Sequence, residues 1–98
     1  MRKKEELKSL ANKCIAILTN KYRVRKVFLI GSLVHGIVHE RSDIDLVVEG
    51  LPSEFYIKAL SELSDIMPPC VGINLIPFED AFESLKEKTI KEGELVYG

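Results

Sequence analysis

Three short apolar runs, each separated from the next by a turn or a helical segment, limit this chain to a small set of folds. They cover residues 27–30, 43–48 and 70–77, and the first two are followed by Gly31 and Gly50. Short runs with β-branched residues and bounding glycines indicate strands rather than helices. Strands that alternate with helical segments predict an α/β (α+β) domain, with helices packed on a small mixed sheet. The pattern leaves open which strands pair in parallel.

The first helix is predicted over residues 4–21, where apolar residues follow the helical period. Its apolar stripe consists of Leu7, Leu10, Ala11, Cys14, Ile15 and Leu18. Cys14 lies on this stripe, and the second cysteine, Cys70, is far away in the chain. Two cysteines are too few for a disulfide framework and these lack metal-ligand spacing. We therefore expect two reduced thiols in or near the core.

Two further helices are predicted, one after each of the last two strands. The earlier one begins with Ser53 as its N-cap and ends before Pro68. The later one covers residues 79–92 and ends at Gly93 as its C-cap. The side chains expected to point inward from these helices are Phe55, Ala59, Leu60 and Leu63, then Phe82, Leu85 and Ile90. With a helical turn after the first strand, the element order becomes α-β-(short α)-β-α-β-α.

Size and charge exclude several classes of protein. A length of 98 residues with 46% hydrophobic residues suits one folded domain spanning residues 1–98. The net charge is −1, so free nucleic-acid binding, which usually requires a strongly basic domain, is not expected. No apolar run approaches the roughly 18 residues of a membrane-spanning helix, and no signal-peptide core follows the charged N-terminus. We therefore expect a cytoplasmic protein.

Asp43 and Asp45 are the first candidate site residues. Residues two apart on a strand point to the same face, with Cα atoms about 6.5 Å apart. Two carboxylates this close repel each other unless a cation lies between them. Their oxygens suit Mg²⁺, which prefers one or two protein carboxylates together with substrate phosphates. Two exposed acids at a solvated strand end would give the same pattern, so the pair alone leaves both interpretations open.

Gly31 and Ser32 form a second candidate feature, directly after the first strand. Glycine lets the backbone turn tightly and approach a ligand closely. A serine hydroxyl and the following N–H groups can hold phosphate oxygens. Ser42, just before the aspartates, is a candidate for the same nucleotide-binding role, although it can equally be a local turn residue. An ordinary strand-to-helix turn also explains Gly-Ser when it is considered alone.

The combined pattern is Gly31-Ser32, a turn with Gly36, and Ser42-Asp43-Ile44-Asp45 on the next strand. This order resembles the G-S-x-x-x-G…S-D-x-D signature of the DNA polymerase beta superfamily of nucleotidyltransferases. The chain looks like the shortest branch, the minimal or MNT-type nucleotidyltransferases. The resemblance implies a nucleotidyltransferase-like fold and a triphosphate bound at Gly31 and Ser32. It also implies catalytic Asp43 and Asp45, which hold two Mg²⁺ (or Mn²⁺) ions, with ATP as substrate.

Asn74 is a departure from the family pattern. Members usually have a third carboxylate on the later strand, where it completes the metal site and helps to deprotonate the acceptor. The matching position here is Asn74, whose amide has a carbonyl oxygen but carries no charge and accepts no proton. The resemblance therefore implies that nucleotide binding survives, whereas catalytic turnover is in question.

Two functions follow from the resemblance. The first is transfer of a nucleoside monophosphate, AMP from Mg-ATP, to a hydroxyl of an acceptor. Minimal nucleotidyltransferases often act beside a helical HEPN-domain protein in toxin–antitoxin pairs, so the acceptor is expected on such a partner. The second is a catalytically weak or inactive nucleotide-binding antitoxin that acts by contact with its HEPN-type partner. Gly31, Ser32 and the aspartates favour the first function, and Asn74 favours the second.

Overall fold

The structure is a computed structural model that describes residues 4–31, 42–69 and 71–98. In these ranges the chain forms three α-helices and four β-strands, with short 3₁₀ turns before the second and third helices. The elements are α1 (Lys4–Asn20), β1 (Lys26–Ile30), β2 (Ser42–Glu49), α2 (Tyr56–Asp65), β3 (Val71–Pro77), α3 (Glu83–Glu92) and β4 (Glu94–Tyr97). The predicted α/β class with a small mixed sheet is confirmed.

The four strands form one sheet in the order β3-β2-β1-β4. β2 lies beside β1 in antiparallel orientation and beside β3 in parallel orientation, and β4 is antiparallel to β1. The parallel pair is joined through α2, because a parallel connection must return the chain to the same end of the sheet. The pairing directions that the sequence pattern left open are thereby decided.

One face of the sheet packs against α1 and α2. Ile44, Leu46 and Val48 of β2 alternate into this core, together with buried residues of both helices. The fully buried side chains of the helices include Leu7, Cys14, Leu18, Ala59 and Leu63. Cys14 is therefore in the core as expected, and burial raises the pKa of its thiol to about 11. Cys70 lies outside the described residues.

The predicted inward face of the last helix is wrong at Phe82 and Ile90, whereas Leu85 is half-buried. Phe82 and Ile90 are 85% and 65% exposed, whereas Thr89 is completely buried. The helix begins only at Glu83, after a 3₁₀ turn at Phe78–Asp80, so Phe82 precedes the helix as an extended N-cap residue. The Thr89 hydroxyl donates to the Leu85 carbonyl at 2.8 Å, and this bond allows a polar side chain to be buried.

One predicted helix cap is wrong, and the other is confirmed. Ser53 provides no side-chain cap, because a 3₁₀ turn at Ser53–Phe55 precedes α2 and leads the chain into it. Gly93 does end α3, but its φ of −75° is extended rather than left-handed. A Cβ at Gly93 would overlap the Thr89 carbonyl oxygen and approach Ile30 closely, so contact with neighbours excludes a side chain here. The chain then continues directly into β4, which the sequence pattern did not predict.

Glu62 connects the end of α1 to α2. Lys21 Nζ and Tyr22 Oη both donate to Glu62 Oε1, at 2.8 and 2.9 Å. Two hydrogen bonds lower the pKa of the Glu62 carboxyl below its ordinary value: the one from Lys21 has the larger effect and the one from Tyr22 the smaller. A carboxyl whose pKa is lowered by folding stabilises the protein above its unfolded pKa, and this stabilisation is lost as the pH falls through the folded pKa.

We therefore expect Glu62→Gln to lower the melting temperature slightly at pH 7, with a difference from wild type that narrows as the pH falls below about 4.3. The decrease is expected to be small because both side chains remain partly exposed to solvent, which screens the ion pair. Melting curves of both proteins between pH 3 and pH 7 measure it, with Glu54→Gln, which removes an exposed glutamate, as the matched control. A difference in melting temperature that is independent of pH would contradict the conclusion that the ionised Glu62 carboxylate stabilises the fold.

Candidate active site

Asp43 and Asp45 project from the sheet face opposite α1 and α2. Because Ile44 and Leu46 are buried in the core, the alternating residues of β2 must point the other way. Asp43 is exposed and Asp45 is half-buried. Phe28 and Ile30 of β1 share this face. The predicted common face of the two aspartates is therefore present in the structure.

β3 places two residues directly beside the aspartates. The register pairs Gly72 with Asp43 and Asn74 with Asp45. The Asn74 amide donates from Nδ2 to Asp45 Oδ1 at 2.6 Å. Asn74 therefore occupies the position next to the pair that the alternation of β3 predicted for it. A carboxylate at 74 would face Asp45 at the same short distance.

The Asp45 and Asp43 carboxylates occupy the space that side chains would fill at Gly31 and Gly72. Gly31 ends β1 with φ +83°, and a Cβ built there would overlap Asp45 Oδ2. A Cβ built at Gly72 would overlap Asp43 Oδ1. Each carboxylate thus lies against a backbone position that has no side chain. Any larger residue at these positions would have to displace a carboxylate oxygen.

The structure describes part of the predicted nucleotide-binding set. Gly31 lies against Asp45. Ser32 lies outside the described residues, and Ser42 begins β2 without a described side chain. Sequence analysis missed Gly72, although a glycine inside a strand pattern often signals close approach of another group.

The donor set suits a divalent cation. Asp45 Oδ2 and the Asp43 carboxylate lie beside glycines that leave room for them, and oxygens of this kind are the ligands that Mg²⁺ prefers. In the parts of the chain that the structure describes, no group of three His, Cys, Asp or Glu side chains converges. The charged groups available to a cation here are therefore two carboxylates, with Asn74 as a neutral neighbour. Rotation of its amide by 180° would present a carbonyl oxygen in place of the N–H donor.

Open space adjoins this side-chain group. A surface depression of about 340 Å³ is lined by Asp45, Asn74 and, at the outer edge of β3, Tyr56 and Ile73. Tyr56 Oη donates to the Leu75 carbonyl at 2.7 Å, which fixes α2 against the edge of β3. A ligand can therefore reach Asp45 and Asn74 directly from solvent.

Comparison with known proteins identifies the family. The family model described as "Polymerase beta, Nucleotidyltransferase" matches residues 12–98. The chain belongs to the polymerase beta nucleotidyltransferase family. The resemblance inferred from Gly31-Ser32 and the aspartate pair is confirmed, and the enzyme class is that of a nucleotidyltransferase.

Two relatives come from Methanocaldococcus jannaschii. The chain is 31% identical over 93 residues to "Putative protein adenylyltransferase MJ0128", covering 94% of both proteins. It is 29% identical over 102 residues to "Putative protein adenylyltransferase MJ1379", covering 99% of both. These relatives match over nearly their whole length.

Solved structures share the nucleotidyltransferase fold. A toxin–antitoxin crystal structure with AMP-PNP superposes with a TM-score of 0.75 at 23% identity, covering 89% of this chain and 72% of that one. A "putative minimal nucleotidyltransferase" superposes with a TM-score of 0.71 at 20% identity, covering 94% of both chains. The toxin–antitoxin MntA-HepT superposes with a TM-score of 0.69 at 19% identity, covering 93% of this chain and 72% of that one.

No helix in the described residues has the length and apolar character needed to cross a membrane.

Proposed function

We propose that this nucleotidyltransferase transfers AMP from Mg-ATP to a hydroxyl group of a partner protein. The observation that carries the proposal is the pair of carboxylates, Asp43 and Asp45, held on one open face of β2 against Gly31 and Gly72. The names of the two archaeal relatives, protein adenylyltransferases, support AMP as the group transferred and a protein as the acceptor.

In this proposal the aspartates hold the metal and the turn after β1 holds the nucleotide. Asp43 and Asp45 bind Mg²⁺ or Mn²⁺, and Gly31, Ser32 and Ser42 bind the nucleotide. The bound cation would offset charge on the α-phosphate and lower the pKa of the acceptor hydroxyl. The family resemblance implies two cations, and because position 74 is an asparagine, this chain supplies two charged ligands for them. The triphosphate must therefore supply the remaining charge.

The transfer exchanges one phosphorus–oxygen bond for another. The acceptor oxygen bonds to the α-phosphorus, the bond from that phosphorus to the bridging oxygen breaks, and pyrophosphate leaves. The role of the chain is to orient the nucleotide and to hold the two carboxylates on one face of the sheet. The Asn74 amide donates to Asp45 Oδ1 and thereby helps to orient that carboxylate. Asn74 cannot take the acceptor's proton, which must pass to an aspartate or to water.

We further propose that the acceptor belongs to a helical HEPN-type partner in a toxin–antitoxin pair in the cytoplasm. The similarity to the toxin–antitoxin MntA-HepT supports this class of partner. The described residues form one sheet with its helices, within the proposed single domain of residues 1–98, and include no separate acceptor-binding domain. In this proposal the acceptor hydroxyl, by resemblance that of a tyrosine, is presented by the partner protein.

The test uses ATP labelled on different phosphates. With the protein encoded by the neighbouring gene as acceptor, label from α-labelled ATP should become covalently attached to it, whereas label from γ-labelled ATP should not. Transfer of γ-label would instead indicate a kinase. No transfer of either label, with ATP binding retained, would overturn the enzymatic proposal.

A second candidate function is a nucleotide-binding antitoxin that restrains its partner by contact. The observation in its favour is Asn74, whose amide donates to Asp45 where the family usually has a third carboxylate. In this case the complex forms and ATP binds, but neither label is transferred.

Ser32→Ala tests the nucleotide-binding role of the turn. We expect ATP affinity to fall by about 1.5–3 kcal/mol, the range for a hydrogen bond to a charged group, while the melting temperature without ATP stays unchanged. Calorimetric titration with Mg-ATP measures the loss. Ser61→Ala, at an exposed position of α2, is the matched control. Equal Mg-ATP affinities of wild type and Ser32→Ala would show that Gly31-Ser32 is an ordinary turn that does not bind the nucleotide.

A further inference from the structure

Gly72 is an unexpected residue inside the edge strand β3, one position after that strand begins. Glycine weakens a strand interior because it has no side chain to pack and loses more conformational freedom on folding than other residues. Its usual justification is a positive φ, but among the described residues the positive-φ glycines are Gly31, Gly50 and Gly98. The backbone at Gly72 is therefore open to any residue, so its conformation does not explain why glycine is present.

The surroundings of Gly72 do explain it. A Cβ built there would have three nearest heavy atoms, all in the Asp43 carboxyl group: Oδ1 overlaps it, and Cγ and Oδ2 are at 3.2 and 3.9 Å. The β2–β3 register holds the two residues side by side, so this contact is set by the sheet and not by a mobile loop. The missing side chain thus leaves space for one group, the Asp43 carboxylate.

Gly31 makes the corresponding contact with Asp45, but it has two reasons to be glycine. Its φ of +83° is unfavourable for side chains, and a Cβ would also overlap Asp45 Oδ2. A substitution at Gly31 would therefore disturb the backbone and the site together. At Gly72 only the overlap of a Cβ with the carboxylate applies. A methyl group at this position would therefore displace the Asp43 carboxylate without straining the backbone.

We propose that Gly72 is a positioning residue of the cation site: it leaves the space in which the Asp43 carboxylate lies, and so directs that carboxylate toward a cation shared with Asp45. The inference rests on the proposed function, since it assumes that the two aspartates hold a divalent cation. Asp43 is exposed, so a methyl group at 72 would turn its carboxylate away into solvent and leave the fold intact. The lost orientation would weaken the binding of a cation shared with Asp45, because the Asp43 carboxylate would no longer be held in one position.

Gly72→Ala should therefore have opposite effects on the protein with and without ligand. Without ligand, its melting temperature should be unchanged or higher, because alanine reduces the freedom of the unfolded chain at a compatible backbone position. The dissociation constant for Mn²⁺, measured by electron paramagnetic resonance, should rise about tenfold or more, the change expected when one charged ligand is misplaced. The melting-temperature increase caused by Mg²⁺ with α,β-methylene-ATP, which cannot release pyrophosphate, should shrink by more than half.

A double-mutant cycle with Asp43→Ala provides the control. Once the carboxylate is absent, adding Gly72→Ala should leave the residual Mn²⁺ affinity unchanged, because the methyl group then displaces nothing. A further loss of Mn²⁺ affinity in the Asp43→Ala background would overturn the proposal. A Gly72→Ala variant that melts at a lower temperature than wild type without ligand, but keeps the full ligand-induced increase in melting temperature, would also overturn it. Equal Mn²⁺ binding by wild type and Gly72→Ala would refute the role of Gly72 alone. Absence of Mn²⁺ and Mg-nucleotide binding in the wild type would refute the proposed function, and this inference with it.

Discussion

Replacing Asp43 and Asp45 together by asparagine is expected to abolish the stabilisation of this protein by Mg-ATP. A ligand present at 100 times its dissociation constant stabilises the folded state by about 2.7 kcal/mol. For a domain of this size that corresponds to roughly 10–20 °C in melting temperature. The amide side chains keep the shape of the carboxylates but remove both negative charges from the face that is open to solvent, so the cation loses its charged ligands.

The same double substitution should not lower the stability of the folded protein in the absence of ligand. The two carboxylates share one face, and loss of their mutual repulsion is neutral or stabilising. Asp65→Asn with Asp80→Asn removes the same charge from the end of α2 and from the turn after β3, and should keep the full Mg-ATP response. Melting curves with ATP alone, Mg²⁺ alone and both together measure the effect. An undiminished response in Asp43→Asn/Asp45→Asn would exclude a shared cation.

Asn74→Asp is expected to increase AMP transfer by at least an order of magnitude. The new carboxylate would lie beside Asp45, where the amide now donates at 2.6 Å, and would add a charged ligand and a proton acceptor. General-base assistance typically contributes about 10²–10⁴-fold to a rate. Transfer from α-labelled ATP to the partner protein, in wild type and variant, measures the gain.

The same variant should be less stable than wild type without metal. Three carboxylates would then share the site, and Asp45 would lose its hydrogen-bond donor. Mg²⁺ should restore that stability, so the metal response should be larger than in wild type. Asn74→Ala removes the donor without adding charge and should not increase transfer. Substantial native activity with no gain in Asn74→Asp would show that a third acid is dispensable here. No activity in either, with ATP bound, would favour the contact-only antitoxin.

Local features of the chain determined most of the site. Alternation along β2 places Asp43 and Asp45 on one face, because side chains on a strand have a period of two and Ile44 and Leu46 must be buried. The same reasoning places Asn74 on the matching face of β3. The apolar stripe of residues 4–21 likewise predicted α1, since a helix buries one face whatever it packs against. These predictions succeeded because each depends on the order of neighbouring residues alone.

Other features depended on contacts between segments far apart in the chain. The packing of α3 beside β1 buries Thr89 in place of Ile90, and the Thr89 hydroxyl finds a partner within the helix. β4 is too short and too exposed to show a pattern, and it exists because β1 offers an edge to pair with. Gly72 meets the Asp43 carboxylate only through the β2–β3 register. The order of apolar residues indicated the buried faces of α1 and β2, but strand order and register arise from pairing across the sheet, and they decide which groups meet at the site.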